Sequence, residues 1–242
     1  MIQQLSALLF LLGLWHAVAL LLHVEALPTP IEALVVLAKG LHGELGRHIL
    51  ASTARVLVSI VVSFVVAVPL GLYLGREERW DRYAAPVIYI VYPIPKIVFL
   101  PIIFYFAGIN DSAKVLLITL VIVFQILVTA RDASRKIDRA VIDSMLSLGA
   151  GKMAIYRHVV WPAALPEIFT ALRISSGTAI AVLFFSETIC GTNGLGYYIL
   201  DAWSSWSWAN MWAGVIAMGL LGYVIYTVID QLERRICAWK HL

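Results

Sequence analysis

The chain has 242 residues, 61% of them hydrophobic and 14% charged, with a formal net charge of +3. Soluble domains carry about 25% charged residues, so this composition excludes a water-soluble globular protein and places the chain in a lipid bilayer. The small net charge gives no argument for nucleic acid. Cys190 and Cys237 fall on opposite sides of the membrane in the topology below and lack metal-ligand spacing, so neither a disulfide nor a thiolate metal site is expected.

Leu5 to Leu22 is apolar and has no basic residue before it, which reads as a first transmembrane helix and not as a cleaved signal peptide. Leu27-Pro28-Thr29-Pro30 breaks it, and Ile31 to Ile49 reads as a short amphipathic external segment with Lys39 and Arg47. Val56 to Leu74 is uncharged and long enough for a hydrocarbon core of about 30 Å, giving a second span. A charged turn with Arg76, Glu77, Glu78, Arg79, Asp81 and Arg82 precedes a third span, Tyr83 to Phe106. Pro86, Pro93, Pro95 and Pro101 remove backbone donors there, so this helix is expected to be bent or broken. A fourth span covers Lys114 to Ala130, a fifth Ala163 to Ile189, and a sixth Met211 to Ile229. The loop 190–210, with Trp203, Trp206 and Trp208, and Trp212 at its edge read as an aromatic belt at the outer interface.

The loops after spans two and four and the C-terminal tail hold twelve Lys and Arg, against three (Lys39, Arg47 and Lys114) in the alternate loops. The positive-inside rule therefore places both termini and the segment 138–166 in the cytoplasm. In that segment Asp138 is a candidate N-cap and Gly149 a candidate C′ residue of positive φ. Between them Val141, Ile142, Met145, Leu146 and Leu148 share one side of a short helix, and Asp143, Ser144 and Ser147 the other. A second helical run, Lys152 to Trp161, precedes Pro162 and Pro166, which are expected to disturb the backbone. On composition alone, such a segment lies against the membrane surface by its apolar side.

The spacing adds a second meaning. Asp143-Ser144-Met145, Gly149 and Val159-Val160-Trp161-Pro162 resemble the EAA loop of bacterial ABC importer permeases, Glu-Ala-Ala-x3-Gly-x9-Ile-x-Leu-Pro, with Asp for Glu, Ser-Met for Ala-Ala and Trp for Leu. Pro28-Thr29-Pro30, Pro93-Ile94-Pro95-Lys96 and Gly194-Leu195-Gly196-Tyr197 extend the resemblance to the nitrate, sulfonate and taurine branch. It implies an all-α type I importer permease of six transmembrane helices, one permease domain over 1–242, in the bacterial inner membrane, paired as a homodimer. It also implies cytoplasmic ATP-binding cassette subunits and an extracytoplasmic substrate-binding protein as partners, with a small anion as cargo. Asp143, Ser144, Met145, Ser147, Gly149 and Pro162 then form the contact with the ATPase. ATP and Mg would be bound by that partner, since the chain has no phosphate-binding Gly-rich loop followed by Lys-Ser or Lys-Thr.

Within the spans, Lys96, Gln125, Ser175, Thr178 and Glu187 are candidate pathway residues. A cation near mid-bilayer marks a pathway or is a stem that snorkels along a broken helix or pairs with a carboxylate. Ser175, Ser176, Gly177 and Thr178 are equally the small residues that let helices pack closely, and Arg173 reads as a structural charge. Scattered His residues and the absence of a converging nucleophile or metal motif argue against an intramembrane enzyme. A secondary transporter or channel is the alternative class, and a vitamin precursor or aromatic compound the alternative cargo.

Overall fold

The computed structural model describes residues 2–241; the side chains of residues 2–5, 190 and 240–241, among them Cys190 and Lys240, lie outside the description. Every regular element among the described residues is helical. The α-helices are α1 (Ile2–Leu22), α2 (Pro30–Gly40), α3 (Glu44–Arg76), α4 (Glu78–Val91), α5 (Leu100–Ala107), α6 (Asp111–Arg135), α7 (Arg139–Ser147), α8 (Lys152–Ile155), α9 (Trp161–Cys190), α10 (Leu195–Ser204) and α11 (Trp208–Ile236), with short 3₁₀ turns at Lys96–Phe99 and Ala238–His241.

Four stretches are long and apolar enough to cross a bilayer: Glu44–Arg76, Asp111–Arg135, Lys152–Ile189 and Trp208–Ile236. A fifth is the pair Glu78–Val91 and Lys96–Ala107, bent by 81° at the break between them. Ser6–Leu22 is apolar but shorter. Of the six expected spans, four correspond to long apolar helices and a fifth to the bent pair, while the first corresponds to a helix shorter than a full crossing.

One boundary differs from the sequence reading. The external segment expected over 31–49 is split: Thr29 caps α2 in a reciprocal box with Glu32, and α3 already starts at Glu44. Arg47 and His48 therefore belong to a long helix, and His48 accepts from the Gly194 amide at 2.9 Å. The third span is broken between Val91 and Lys96, as expected from its prolines.

The chain forms two compact units, residues 1–54 with 184–221 and residues 55–183 with 222–242. In the second unit α3 and α6 run parallel: Ser59 and Ser63 donate to the carbonyls of Val115 and Thr119, each 56 residues on. Gly71 and Gly75 let the two backbones approach. A Cβ at Gly71 would stand 2.6 Å from Leu127 O, and one at Gly75 2.7 Å from Ser134 Cβ. Ser134 Oγ then reaches Leu72 O at 2.9 Å. This Gly-x3-Gly against Ala130-x3-Ser134 packing is the small-residue association that membrane helices use when no hydrophobic force distinguishes partner from lipid. In the same unit, Arg173 of α9 is held by Asp230 at 2.6 Å and Glu233 at 2.9 Å, both of α11, which gives it the structural role expected.

Candidate functional site: the 138–166 segment and the polar span residues

Both ends of α7 are closed. Asp138 Oδ1 accepts from the Ala140 amide at 2.9 Å, satisfying one of the free donors of the first turn. At the other end the Gly149 amide donates to Leu146 O at 2.9 Å and the Ala150 amide to Met145 O at 3.0 Å. This pair of bonds is a Schellman turn, which needs a left-handed residue at its centre, and Gly149 supplies φ of +81°. A Cβ at 149 would meet nothing within 4 Å, so the demand for glycine is conformational and not steric.

The sides of α7 are used differently from the periodicity reading. Ile142 alone of its apolar side is buried. Val141 is 48%, Leu146 52% and Leu148 84% exposed, so this chain leaves most of that side uncovered. Ser144 and Ser147 donate to Ala140 O at 2.7 Å and Asp143 O at 2.9 Å, turning their hydroxyls back onto their own helix. Asp143 is exposed and Met145 half-buried. Beyond Gly151, α8 passes through a π-turn, Tyr156–Val160, into α9, and Pro162 sits half-buried in the first turn of α9. For Pro162 the expected disturbance is this π-turn, whose widened turn relieves the crowding of the proline ring on the carbonyl four residues before it, whereas Pro166 lies inside α9 without interrupting it.

Acidic residues of the turn before the broken span brace the segment, which the sequence reading missed. Lys152 Nζ is 3.1 Å from Glu77 and Arg139 Nη2 2.7 Å from Glu78; next to the segment, Lys136 Nζ is 3.4 Å from Glu167 at the start of α9. Being exposed, such pairs are worth about 0–1 kcal/mol each. A stronger tie is Arg131, whose Nε and Nη2 both reach the Asp81 carboxylate, with the two side chains only 4% and 13% exposed. Alternating signs in 76–82 and 131–152 were the available signal, but sequence carries no pairing.

Among the span residues, Lys96 is 7% exposed and its ammonium donates to the carbonyls of Val91 at 3.0 Å, Tyr92 at 2.7 Å and Ile94 at 3.2 Å. It thereby fills the acceptors freed where α4 ends, and it stands 4.9 Å from the Phe124 ring centroid. Its three donors are taken by carbonyls of its own chain, the capping role that the snorkelling reading approached, with no carboxylate partner among the described residues. Gln125 Nε2 reaches Thr178 Oγ1 at 3.4 Å, bringing these two candidates together across α6 and α9. Gln125 Oε1 and the Ser175 hydroxyl are buried with no partner in the described structure.

Glu187 lies in the other unit and is fully buried, not solvated at an interface. It accepts from Ser52 Oγ at 2.9 Å and from the Gly196 amide at 2.9 Å. The two preceding amides are held likewise: Leu195 N–H donates to Ser52 Oγ at 2.8 Å and Gly194 N–H to His48 Nδ1 at 2.9 Å. Three side chains thus hold the three successive donors at the start of α10, where the helix dipole favours a carboxylate. In this unit burial, with the Glu44 carboxylate as a smaller cause, pushes the Tyr198 phenol above its ordinary range, and its hydroxyl donates to Asn210 at 3.1 Å. Of the tryptophans, Trp212 does more than line an interface: its indole donates to Ala26 O at 2.9 Å and packs on Trp15, 4.9 Å between ring centroids.

Residues 67–237 match the family described as "Binding-protein-dependent transport system inner membrane component". The chain is similar to the taurine transport system permease protein TauC of Escherichia coli, 28% identical over 244 residues, covering 98% of this chain and 89% of that one. It is also similar to the putative aliphatic sulfonates transport permease protein SsuC of Bacillus subtilis, 25% identical over 234 residues, covering 96% and 85%. Among solved structures, an inward-facing conformation of the MetNI methionine ABC transporter shares the fold, with a TM-score of 0.67 at 24% identity over 79% of this chain and 95% of that one.

Proposed function

The chain belongs to the binding-protein-dependent transport system inner membrane components and is the permease subunit of an ATP-driven importer, for which we propose a sulfonate such as taurine as cargo. The relatives named for taurine and aliphatic sulfonates span nearly the whole chain, which supports that cargo. A sulfonate is a permanent anion with three oxygen acceptors. The neutral groups on α6 and α9, the Ser175 hydroxyl and Gln125 Nε2, which reaches Thr178 through one of its two hydrogens, suit such a group without holding it tightly, and a transporter must release what it accepts. Lys96, with its donors engaged, and Glu187, a buried cap, are assigned to the frame of the protein.

The observation that carries the coupling role is the uncovered apolar side of a helix fixed at both ends. ATP-driven closure does work on the permease only through a rigid element seated in the ATPase. The segment 138–166 is that element, with Val141, Leu146 and Leu148 added to Asp143, Met145 and Gly149 as contact residues. Ser144 and Ser147 stiffen the helix, and Pro162 sets the turn into α9. The whole chain acts as one permease domain, two copies enclosing the pathway with both termini and this segment in the cytoplasm, as the basic bias of the loops supports. An external binding protein delivers the cargo, and the ATPase subunits bind ATP and Mg.

The test is transport by the reconstituted complex with its ATPase and binding protein. Taurine or an alkylsulfonate is expected to accumulate and to stimulate ATP hydrolysis, and Gln125→Leu with Ser175→Ala to lower uptake but not assembly. Stimulation by another solute class, with none by any sulfonate, overturns the cargo and leaves the importer role standing.

A further inference from the structure

A cavity of about 910 Å³ opens where the end of α3, the start of α4 and the run from α8 into α9 meet. Its apolar walls include Tyr73, Trp80 and Trp161, the last two 56% and 39% exposed. Arg79, Lys152 and Arg157 also line it. Lys152 is paired with Glu77, whereas Arg79 and Arg157 have no carboxylate partner among the described residues. The Tyr156 hydroxyl, buried and without a hydrogen-bond partner in the described structure, belongs to the same lining.

Two unpaired guanidinium groups beside an aromatic wall define the occupant by its chemistry. A free inorganic anion would use the arginines and leave the tryptophans against water. A neutral lipid would cover the tryptophans and leave the arginines unpaired. An anionic phospholipid does both, since guanidinium groups bind phosphate oxygens in pairs and aromatic side chains favour the headgroup depth of the bilayer.

The geometry points to a site for one anionic phospholipid of the cytoplasmic leaflet, its phosphate between Arg79 and Arg157 and its upper acyl chains against Tyr73, Trp80 and Trp161. The leaflet, though not the site, rests on the cytoplasmic orientation given under Proposed function. The bound lipid would tie the turn that carries Glu77 to the run that begins at Lys152, the same two stretches that brace the coupling segment. Glu77 on the rim weakens the site by neutralising Lys152.

The experiment is native mass spectrometry of the full transporter complex in detergent, with phosphatidylglycerol or phosphatidylcholine of identical chains added. One phosphatidylglycerol per permease chain should be retained, and phosphatidylcholine should not. Arg79→Ala with Arg157→Ala should lower phosphatidylglycerol affinity by roughly thirtyfold, about fivefold for each basic residue lost, and Glu77→Gln should raise it by about fivefold. Inorganic phosphate at millimolar concentration should not displace the lipid. Equal retention of the two lipids, an unchanged affinity in the double variant, or displacement by phosphate overturns the proposal. The Glu77→Gln arm still decides if the double variant assembles poorly, because a fall or no change in affinity there also overturns it. Detergent gives access from both sides, so this readout is independent of topology: retention of the lipid by a complex whose segment 138–166 proves external would overturn the orientation and keep the site.

Discussion

Lys96 holds three carbonyls at the break of its span, so loss of its amine is expected to cost stability before it costs transport. Hydrogen bonds from a charged group contribute about 1.5–3 kcal/mol each, and a carbonyl left open in apolar surroundings has no water to replace the donor. For Lys96→Met the melting temperature of the purified complex should fall by about 5–10 °C. Uptake per assembled complex should stay near that of the parent. A normal melting temperature with lost uptake would return Lys96 to the pathway. The sequence showed a cation between prolines but not what it binds, although its spacing from Val91 and Tyr92, five and four residues ahead, was a readable signal for a terminal cap. Glu187 left no such signal, because Ser52 lies 135 residues away and only the folded chain brings them together.

At the scale of elements, α7 was legible because its determinants are local: Asp138 and Gly149 close a helix whose ends can be read within a few residues. The exposure of its apolar side was not, since periodicity gives a face and not what covers it. Gly149→Val should impair transport-coupled ATP hydrolysis, because a side chain at φ of +81° costs about 1–2 kcal/mol and β-branching adds to that. Gly149→Asn should retain most coupling, as asparagine tolerates this conformation and the space around 149 is open. Equal activity of both variants would make Gly149 a mere spacer. The packing of α3 on α6 behaves differently, since there the limit is steric. Gly75→Leu must separate two backbones or distort the helix, with overpacking costing about 1–3 kcal/mol, and the yield of assembled complex should fall even if the chain is inserted. The Gly-x3-Gly spacing of 71 and 75 was present in the sequence, but nothing there named α6 as the partner.

For the whole molecule, six apolar stretches and their basic loops set a topology; packing inside the chain shows which segments share a face but not which face is cytoplasmic, because the bilayer and not the protein defines the two sides. Cys190 and Cys237 are poor reporters of it: the side chain of the first lies outside the described residues and the second is fully buried. Engineered thiols serve better, in a background where both native cysteines are serine. Leu148, 84% exposed beyond α7, reports the coupling segment, and the exposed Ser204 at the end of α10 reports the loop 190–210. With a membrane-impermeant maleimide, Ser204→Cys should react in right-side-out vesicles and Leu148→Cys only after inversion or permeabilisation. The bent third span is the sensitive step, because an 81° break is compatible with crossing the bilayer or with returning to the side it left. If the pair Glu78–Val91 and Lys96–Ala107 crosses, the segment 138–166 lies on the same side as 76–82, as their ion pairs require. A return would add a reversal between those two segments and set them on opposite faces, which the ion pair of Lys152 with Glu77 forbids. Reaction of both engineered thiols from one face would break the six-span topology, and with it the placing of the coupling helix opposite the loop 190–210.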